Sequence, residues 1–194
     1  MTAEQRREQL LDVTKSMVAK RGFHGVSIEG VARDAGITRP IVYGHFGDLG
    51  GLLEALIDRE SVRAIAQLEA VLPTELAPGD PVEQLLGSLR GYLEAVRADP
   101  TTWRLVLMPP EGAPEALHDR IASGRAAIIG RLAGALSSGF PGGRESPDPE
   151  LTARMLSVFA DEAARLQLTD PRRYPVERIL DHARWALGRF APAR

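Results

Sequence analysis

GITRPIVYGHF, residues 36–46, gathers a glycine, a proline, an arginine, a tyrosine and a histidine into one short stretch of a chain otherwise rich in Leu, Ala and Arg. Its neighbours give the assortment a reason. Upstream, Ser27 can cap a short helix that turns Ile28, Val31, Ala32 and Ala35 inward and stops at Gly36. Downstream, Thr38 can cap a second helix running to about Phe46, and Pro40 fits its first turn because the amides there have no intrahelical partner. Two short helices meeting at the tight turn Gly36-Ile37-Thr38 make a helix-turn-helix, whose second helix lies in the major groove of DNA. Gly36 supplies the left-handed backbone at the corner. Small Ala32 lets the helices cross closely, and Ile37, Val42 and Phe46 fill the inner side.

That arrangement assigns a DNA-facing set. Thr38, Arg39 and Pro40 stand at the N-terminal end of the second helix, where side chains and amides reach bases and phosphates. Tyr43 and His45 lie on the outer side, long enough to hydrogen-bond phosphate oxygens and set the register, with packing against the first helix as the alternative. Ser27 is a cap first, and can touch phosphate from the same helix end. Arg6 and Arg7 read mainly as a solvated face.

Helical periodicity continues on both sides. Thr2 and Gln5 have capping-box spacing, and Leu10, Leu11, Thr14, Met17 and Val18 follow before Gly22, which predicts a helix over about residues 3–21. Asp48 opens a long helix through Leu52, Leu53, Leu56, Ile57, Val62, Ile65 and Leu68 to Leu72. Pro73 to Pro81 is a linker, and Asp80, Pro81 and Glu83 offer the next helix a cap, an N1 proline and a capping-box partner. Further helices are expected over about 82–98, 101–108, 114–137, 149–168 and 176–190, with Pro100, Pro114, Pro149 and Pro175 near their starts. Ser138 to Pro147 is expected to be the most flexible loop. No strand-like alternation or internal repeat is present, so the fold class is all-α with about nine helices.

Composition excludes more than it selects. The chain has 194 residues, 44% hydrophobic and 26% charged, with a net charge of −2, as expected of a packed globular protein. Residues 1–50 hold seven Lys/Arg and six Asp/Glu, so no strongly basic half stands out. The absence of cysteine rules out disulfides, thiolate metal sites and cysteine nucleophiles. His24, His45, His118 and His182 lack metal-ligand spacing, GDLGG and PGG lack the Lys-Ser/Thr of a phosphate loop, and no GxSxG elbow occurs. No catalytic residue, metal or cofactor is therefore expected. Asp161 and Glu162, being adjacent, point to different sides of a helix and read as ordinary polar positions. MTAEQRREQLLDV lacks the apolar run of a signal peptide, and no stretch approaches the roughly 18 apolar residues of a membrane span, which points to a cytoplasmic protein with no membrane partner.

The run GFHGVSIEGVARDAGITRPIVYGHFGDLGGLLEAL, residues 22–56, resembles the DNA-binding domain of the TetR family of transcriptional regulators. Gly22, Phe23, Ser27, Ile28, Val31, Ala32, Ala35, Gly36, Tyr43, His45, Phe46, Leu52 and Leu53 carry the match, which spans about residues 4–57. The resemblance implies a homodimer on a palindromic double-stranded DNA operator. It also implies a division near residue 57 into a three-helix DNA-binding segment, 1–57, and a larger C-terminal domain, 58–194, that takes up a small-molecule effector and couples it to the separation of the recognition helices. Two positions depart from the family pattern. A lysine often found at the start of helix 4 aligns with Leu49, and the start of helix 2, often basic or polar, carries Glu29 and Gly30. Phosphate affinity is then expected to lean on Arg6, Arg7, Arg39 and the helix dipoles.

In the remainder, Leu151, Met155, Val158, Phe159 and Leu166 form one apolar stripe, and Val176, Ile179, Leu180, Ala183, Leu187 and Phe190 another. Such stripes ordinarily face their own core. The resemblance implies that these two helices pair with their mates in a dimer, placing Leu151, Met155, Val158, Ile179, Ala183, Trp185 and Leu187 at the interface, Trp185 foremost. Tyr92, Trp103, Leu107, Met108, Ile128 and Phe159 suit a hydrophobic ligand and equally a dry core, while His118, Arg125 and Glu162 are available to orient a polar end. The expected function is a homodimeric, ligand-responsive repressor and not an enzyme; the alternative is an effector-independent activator or architectural DNA binder.

Overall fold

A computed structural model describes residues 1–76, 80–109, 113–137 and 148–190, with side chains to residue 188. The described residues form α1 (Ala3–Arg21), a 3-10 turn (Phe23–Gly25), α2 (Ile28–Asp34), α3 (Arg39–Phe46), α4 (Leu49–Val71), α5 (Pro81–Ala98), α6 (Pro100–Leu107), α7 (Glu115–Ser137), α8 (Pro149–Thr169) and α9 (Val176–Phe190). No strand occurs among them. The expected loop over 138–147 and the centre of the 73–81 linker lie outside the described residues.

Side chains fix most helix starts as the sequence suggests. At α1 the Gln5 amide donates to Thr2 Oγ1 (3.2 Å) while the Thr2 amide donates to Gln5 Oε1 (2.9 Å), a complete capping box. Asp48, Asp99 and Asp148 cap α4, α6 and α8 by accepting from the amides of Gly51, Thr102 and Leu151. Two expected caps differ. Thr38 occupies the N-cap of α3 but its hydroxyl makes no cap bond, because the second helical position is Pro40, which has no N–H, and the Ile41 amide donates to the Thr38 carbonyl instead (3.1 Å). Glu83 does not complete a box with Asp80, because its carboxylate is taken by Arg184 of α9 at 3.0 and 3.1 Å.

Two apolar clusters organise the packing. The first joins Leu10, Leu11 and Val18 of α1, Val31 of α2, Val42 of α3, and Leu52 and Leu56 of α4 with Leu105 of α6 and Leu117 of α7. The core of the helix-turn-helix thus extends into the following helices. The second gathers Tyr92, Leu93 and Val96 of α5, Trp103 and Leu107 of α6, Ala163, Ala164 and Leu168 of α8, and Ile179 of α9. Within it the Tyr92 and Trp103 rings meet edge-on with centroids 5.0 Å apart, and the Trp103 indole N–H donates to Gln67 Oε1 of α4 at 2.9 Å.

Between the clusters lies a buried ion network. Lys15 of α1 places Nζ 2.8 Å from Glu60 of α4, 3.0 Å from both carboxylate oxygens of Asp99, and 2.6 Å from the Thr102 hydroxyl at the start of α6. Lys15 is 9% exposed, Glu60 2% and Thr102 0%, so water contributes little. Thr102 Oγ1 also lies within hydrogen-bond reach of both Glu60 and Asp99. On the outer side Arg59 binds Glu8 (3.0 Å), Asp12 (2.9 Å) and Glu60 (2.9 Å). Burial alone would raise the Glu60 carboxyl. Lys15 and Thr102 outweigh it and hold the group below its ordinary range, and Asp99 is lowered in the same way.

Removing the cation exposes this balance. Lys15→Met is expected to destabilise the protein by about 3 kcal/mol at neutral pH, because buried Glu60 and half-buried Asp99 lose their shared cation, although Arg59 still pairs with Glu60. In the wild type the unfolded state binds more protons in acid, so the contribution of Glu60 and Asp99 is present above the ordinary carboxylate range and is lost as pH falls below it. In the variant Arg59 and Thr102 still hold Glu60, so the slope should keep its sign but flatten, with less stability lost between about pH 7 and 4 than in the wild type. Urea unfolding across that range checks the flattening.

Candidate nucleic-acid interface

The corner between α2 and α3 is built by backbone geometry. Gly36 has φ +66°, a left-handed conformation that side chains resist, and its amide and that of Ile37 close the turn onto the carbonyls of Arg33 and Ala32 at 3.1 and 2.9 Å. Val42 is fully buried and anchors α3 from below, with Ile37 and Phe46 half-buried beside it. Gly30, buried on α2, faces α1. A Cβ there would stand 2.8 Å from Met17 Cε, the end of a flexible side chain, so this position, a departure from the family pattern, points into the α1 contact rather than outward. Leu49, the other departure, packs against the core.

The far end of α3 is fixed by a feature that the sequence reading passed over. Gly51, in the first turn of α4, has no room for a Cβ: it would lie 2.2 Å from the Phe46 carbonyl oxygen. α4 therefore runs directly under the C-terminus of α3. The Gly50-Gly51 pair was the available signal. From above, the Arg7 guanidinium lies over the Phe46 ring, 4.7 Å from its centroid, tying the start of α1 to the same end of α3.

Most of the expected DNA-facing residues lie at the surface. Ser27, Thr38, Arg39, Pro40 and Tyr43 are exposed and His45 is half-buried next to Phe46. Ser27 Oγ accepts from the Gly30 amide at 3.1 Å, which leaves its hydroxyl proton available outward. Among the described residues Arg39 has no ion pair, and the Thr38 hydroxyl is free of the cap role expected of it. An exposed cation, several hydroxyls and a helix N-terminus are groups that suit a phosphate-lined groove.

The residues expected at a dimer interface divide into two groups. Leu151, Met155, Val158 and Trp185 are 54%, 66%, 63% and 59% exposed, an unusual load of large apolar side chains for two neighbouring helices. Phe159, expected in a pocket, is also exposed and continues the α8 stripe. Ile179, Ala183 and Leu187 face the other way, against α5.

The expected pocket residues are likewise split. Tyr92, Trp103 and Leu107 are buried in the second cluster, Ile128 is half-buried, and Met108, His118, Arg125 and Glu162 are exposed. The polar group that gathers there is Asp161. It accepts from the Tyr92 hydroxyl at 3.3 Å and from Arg125 of α7, joining α5, α7 and α8 at one point. Burial keeps its carboxyl above the ordinary range against the pull of Arg125 and Arg165, and burial beside Asp161 raises the Tyr92 phenol well above its own. Asp161 read as an ordinary polar position because its partners come from distant helices.

Comparison with known proteins agrees with this geometry. Residues 10–56 match the family described as bacterial regulatory proteins, tetR family, and residues 81–186 match the tetracyclin repressor-like C-terminal domain. A TetR-like transcriptional regulator from Rhodococcus sp. RHA1 is 27% identical, with a TM-score of 0.71 over 92% of this chain and 91% of that one. SmeT, solved as a triclosan complex, is 23% identical with a TM-score of 0.74 over 94% and 91% of the two chains. The regulator FadR from Bacillus subtilis, solved with stearoyl-CoA, is 17% identical with a TM-score of 0.70 over 93% and 96%. At these identities the last two speak to the fold alone.

Gly51→Ala tests the support beneath α3. The added methyl must push the Phe46 carbonyl away, so the variant should lose about 1–3 kcal/mol of stability. Its DNA affinity should fall by more than an exposed alanine substitution elsewhere on α4 causes. Thermal unfolding and titration with duplex DNA provide the two readings.

Proposed function

The chain belongs to the TetR family of bacterial regulatory proteins, and from that membership we propose that it is a homodimeric repressor released from a palindromic operator by a mainly apolar small molecule. Family membership itself makes it a DNA-binding transcriptional regulator rather than an enzyme. Among the described residues no helix is long and apolar enough to cross a membrane.

The observation that carries the proposal is the exposed apolar load of Leu151, Met155, Val158 and Trp185 on the helices farthest in sequence from the helix-turn-helix. A second copy of the chain would cover it, with α8 and α9 of each protomer forming a four-helix bundle. Two-fold pairing would set the recognition helices about 34 Å apart, one turn of DNA, with segment 1–57 as the reading head and segment 58–194 as the dimer and effector unit. In each head Arg39 and Thr38 would reach base edges or phosphates, Pro40 would shape the first turn, and Ser27, Tyr43 and His45 would contact the backbone.

The effector site is placed beside the Tyr92-Asp161-Arg125 chain, where Trp103, Leu107 and Ile128 supply apolar surface and Met108, His118 and Glu162 a rim. Two proteins of the same fold were solved with triclosan and with stearoyl-CoA, ligands that each carry a substantial apolar part. Such a ligand would bind best to a conformation in which the heads are wrongly spaced. By reciprocity, operator DNA would weaken it to the same degree.

Met155→Glu should leave the protomer folded, since the side chain is already in solvent, but shift it to a monomer by sedimentation and abolish tight operator binding. A variant that stays dimeric would overturn the interface. Arg39→Ala should remain dimeric yet lose both affinity and discrimination between operator and random duplex, and its salt dependence should be shallower by about one unit per phosphate left without its arginine. Fluorescence anisotropy at several salt concentrations measures both.

A further inference from the structure

α3 is eight residues long and consists of four pairs spaced i, i+4, each pair sharing a face. Val42 and Phe46 face the core. Opposite them stand Pro40 and Gly44, exposed and without a side chain of any reach. Arg39 and Tyr43 form one flank of this smooth strip, Ile41 and His45 the other. The face of the recognition helix turned furthest from the protein is therefore nearly bare backbone.

Neither backbone strain nor packing requires glycine at position 44. The positive-φ glycines are Gly22, Gly36 and Gly47, and a Cβ on Gly44 would meet nothing within 4 Å. Glycine inside a helix is destabilising relative to alanine, so the fold alone disfavours it. Open space beside a helical glycine recurs at Gly87, Gly130, Gly134 and Gly188. Gly44 differs in lying at the centre of the groove-facing strip. Ile41, on its flank, is 42% exposed, the most apolar side chain that α3 turns outward.

From these two observations we infer that Ile41 is a specificity-determining residue that packs on a thymine C5-methyl group in the major groove, and that the Pro40-Gly44 strip gives the helix the close approach this short side chain needs. Thymine is the base that offers an apolar group in that groove. An isoleucine cannot hydrogen-bond a base edge, and its branched end reaches far less than an arginine or tyrosine. Contact therefore demands that the backbone come near, and a Cβ at position 44 would hold it off. The inference rests on α3 being the recognition helix.

Full-length protein is used to recover duplexes from randomised double-stranded DNA, and the recovered duplex is then scanned by replacing each thymine with deoxyuridine, which lacks only the methyl. At one or two positions per half-site the replacement should weaken wild-type binding about fourfold. Ile41→Ala, folded by circular dichroism, should bind the thymine duplex more weakly and be indifferent to uridine at those positions. Gly44→Ala should melt about 2–4 °C higher than wild type while binding the duplex at least tenfold more weakly. A flat uridine scan, or an Ile41→Ala variant as sensitive as wild type, overturns the methyl contact. Undiminished affinity in Gly44→Ala overturns the close approach. Recovery of no selective duplex by the wild type would instead remove the recognition-helix reading, and the inference with it.

Discussion

Lys15 is the pivot of the molecule. Lysine is a side chain that usually stays solvated, yet on α1 its ammonium group is enclosed between Glu60 of α4 and Asp99 with Thr102 at the α5–α6 junction. Burying one charge without partners would cost several kcal/mol, so the site holds together only as a set. Such a set is a modest source of net stability but a strict source of geometry. It admits one placement of α1 against α4 and α6, and an alternative must supply the three groups with other partners or with water.

The apolar packing depends on the same placement. Because Leu105 and Leu117 complete the core formed by Leu10, Leu11, Val31, Val42 and Leu56, the reading head is not an independent module with its own closed interior. α4, continuous from Leu49 to Val71, begins beneath the α3 carbonyl at Phe46, passes the Lys15 site with Glu60, and ends in reach of the second cluster through Gln67 and Trp103. A shift of α4 along its axis would reach α3 directly, since Gly51 leaves no slack there. No gap in the packing falls at the boundary expected near residue 57.

Helix content and most helix limits were legible because caps and breakers are local: Thr2 with Gln5, Asp48, Asp99, Pro149 and Gly36 act within four residues of themselves. Where a nonlocal partner or a missing donor intervenes, the local rule fails, as with Glu83 drawn to Arg184 and Thr38 facing an amide-less Pro40. The expected DNA-facing positions rest on the same kind of local pattern. Asp161, the Lys15 network and the burial of Leu49 were not legible, because each depends on helices brought together only by the fold. The exposed half of the C-terminal stripes posed the converse problem, since periodicity marks a residue as apolar without saying which molecule covers it.

α6 is where these dependencies converge. In eight residues it places Thr102 in the ion network, Trp103 in the second cluster, Arg104 on the Leu168 carbonyl of α8 at 3.0 Å, and Leu105 in the core of the reading head. Consecutive helical side chains point in different directions, so one short helix can touch all four neighbours at once. Its freedom to move is correspondingly small, because displacement along any one contact strains the others. Cores of this density tend to switch between discrete packings rather than deform smoothly. A ligand seated beside Tyr92 and Trp103 that moved α6 by one side-chain step would therefore act on Thr102 and Leu105 together. The buried charge and the apolar core would be disturbed in the same motion, and the head would have to find a new seat.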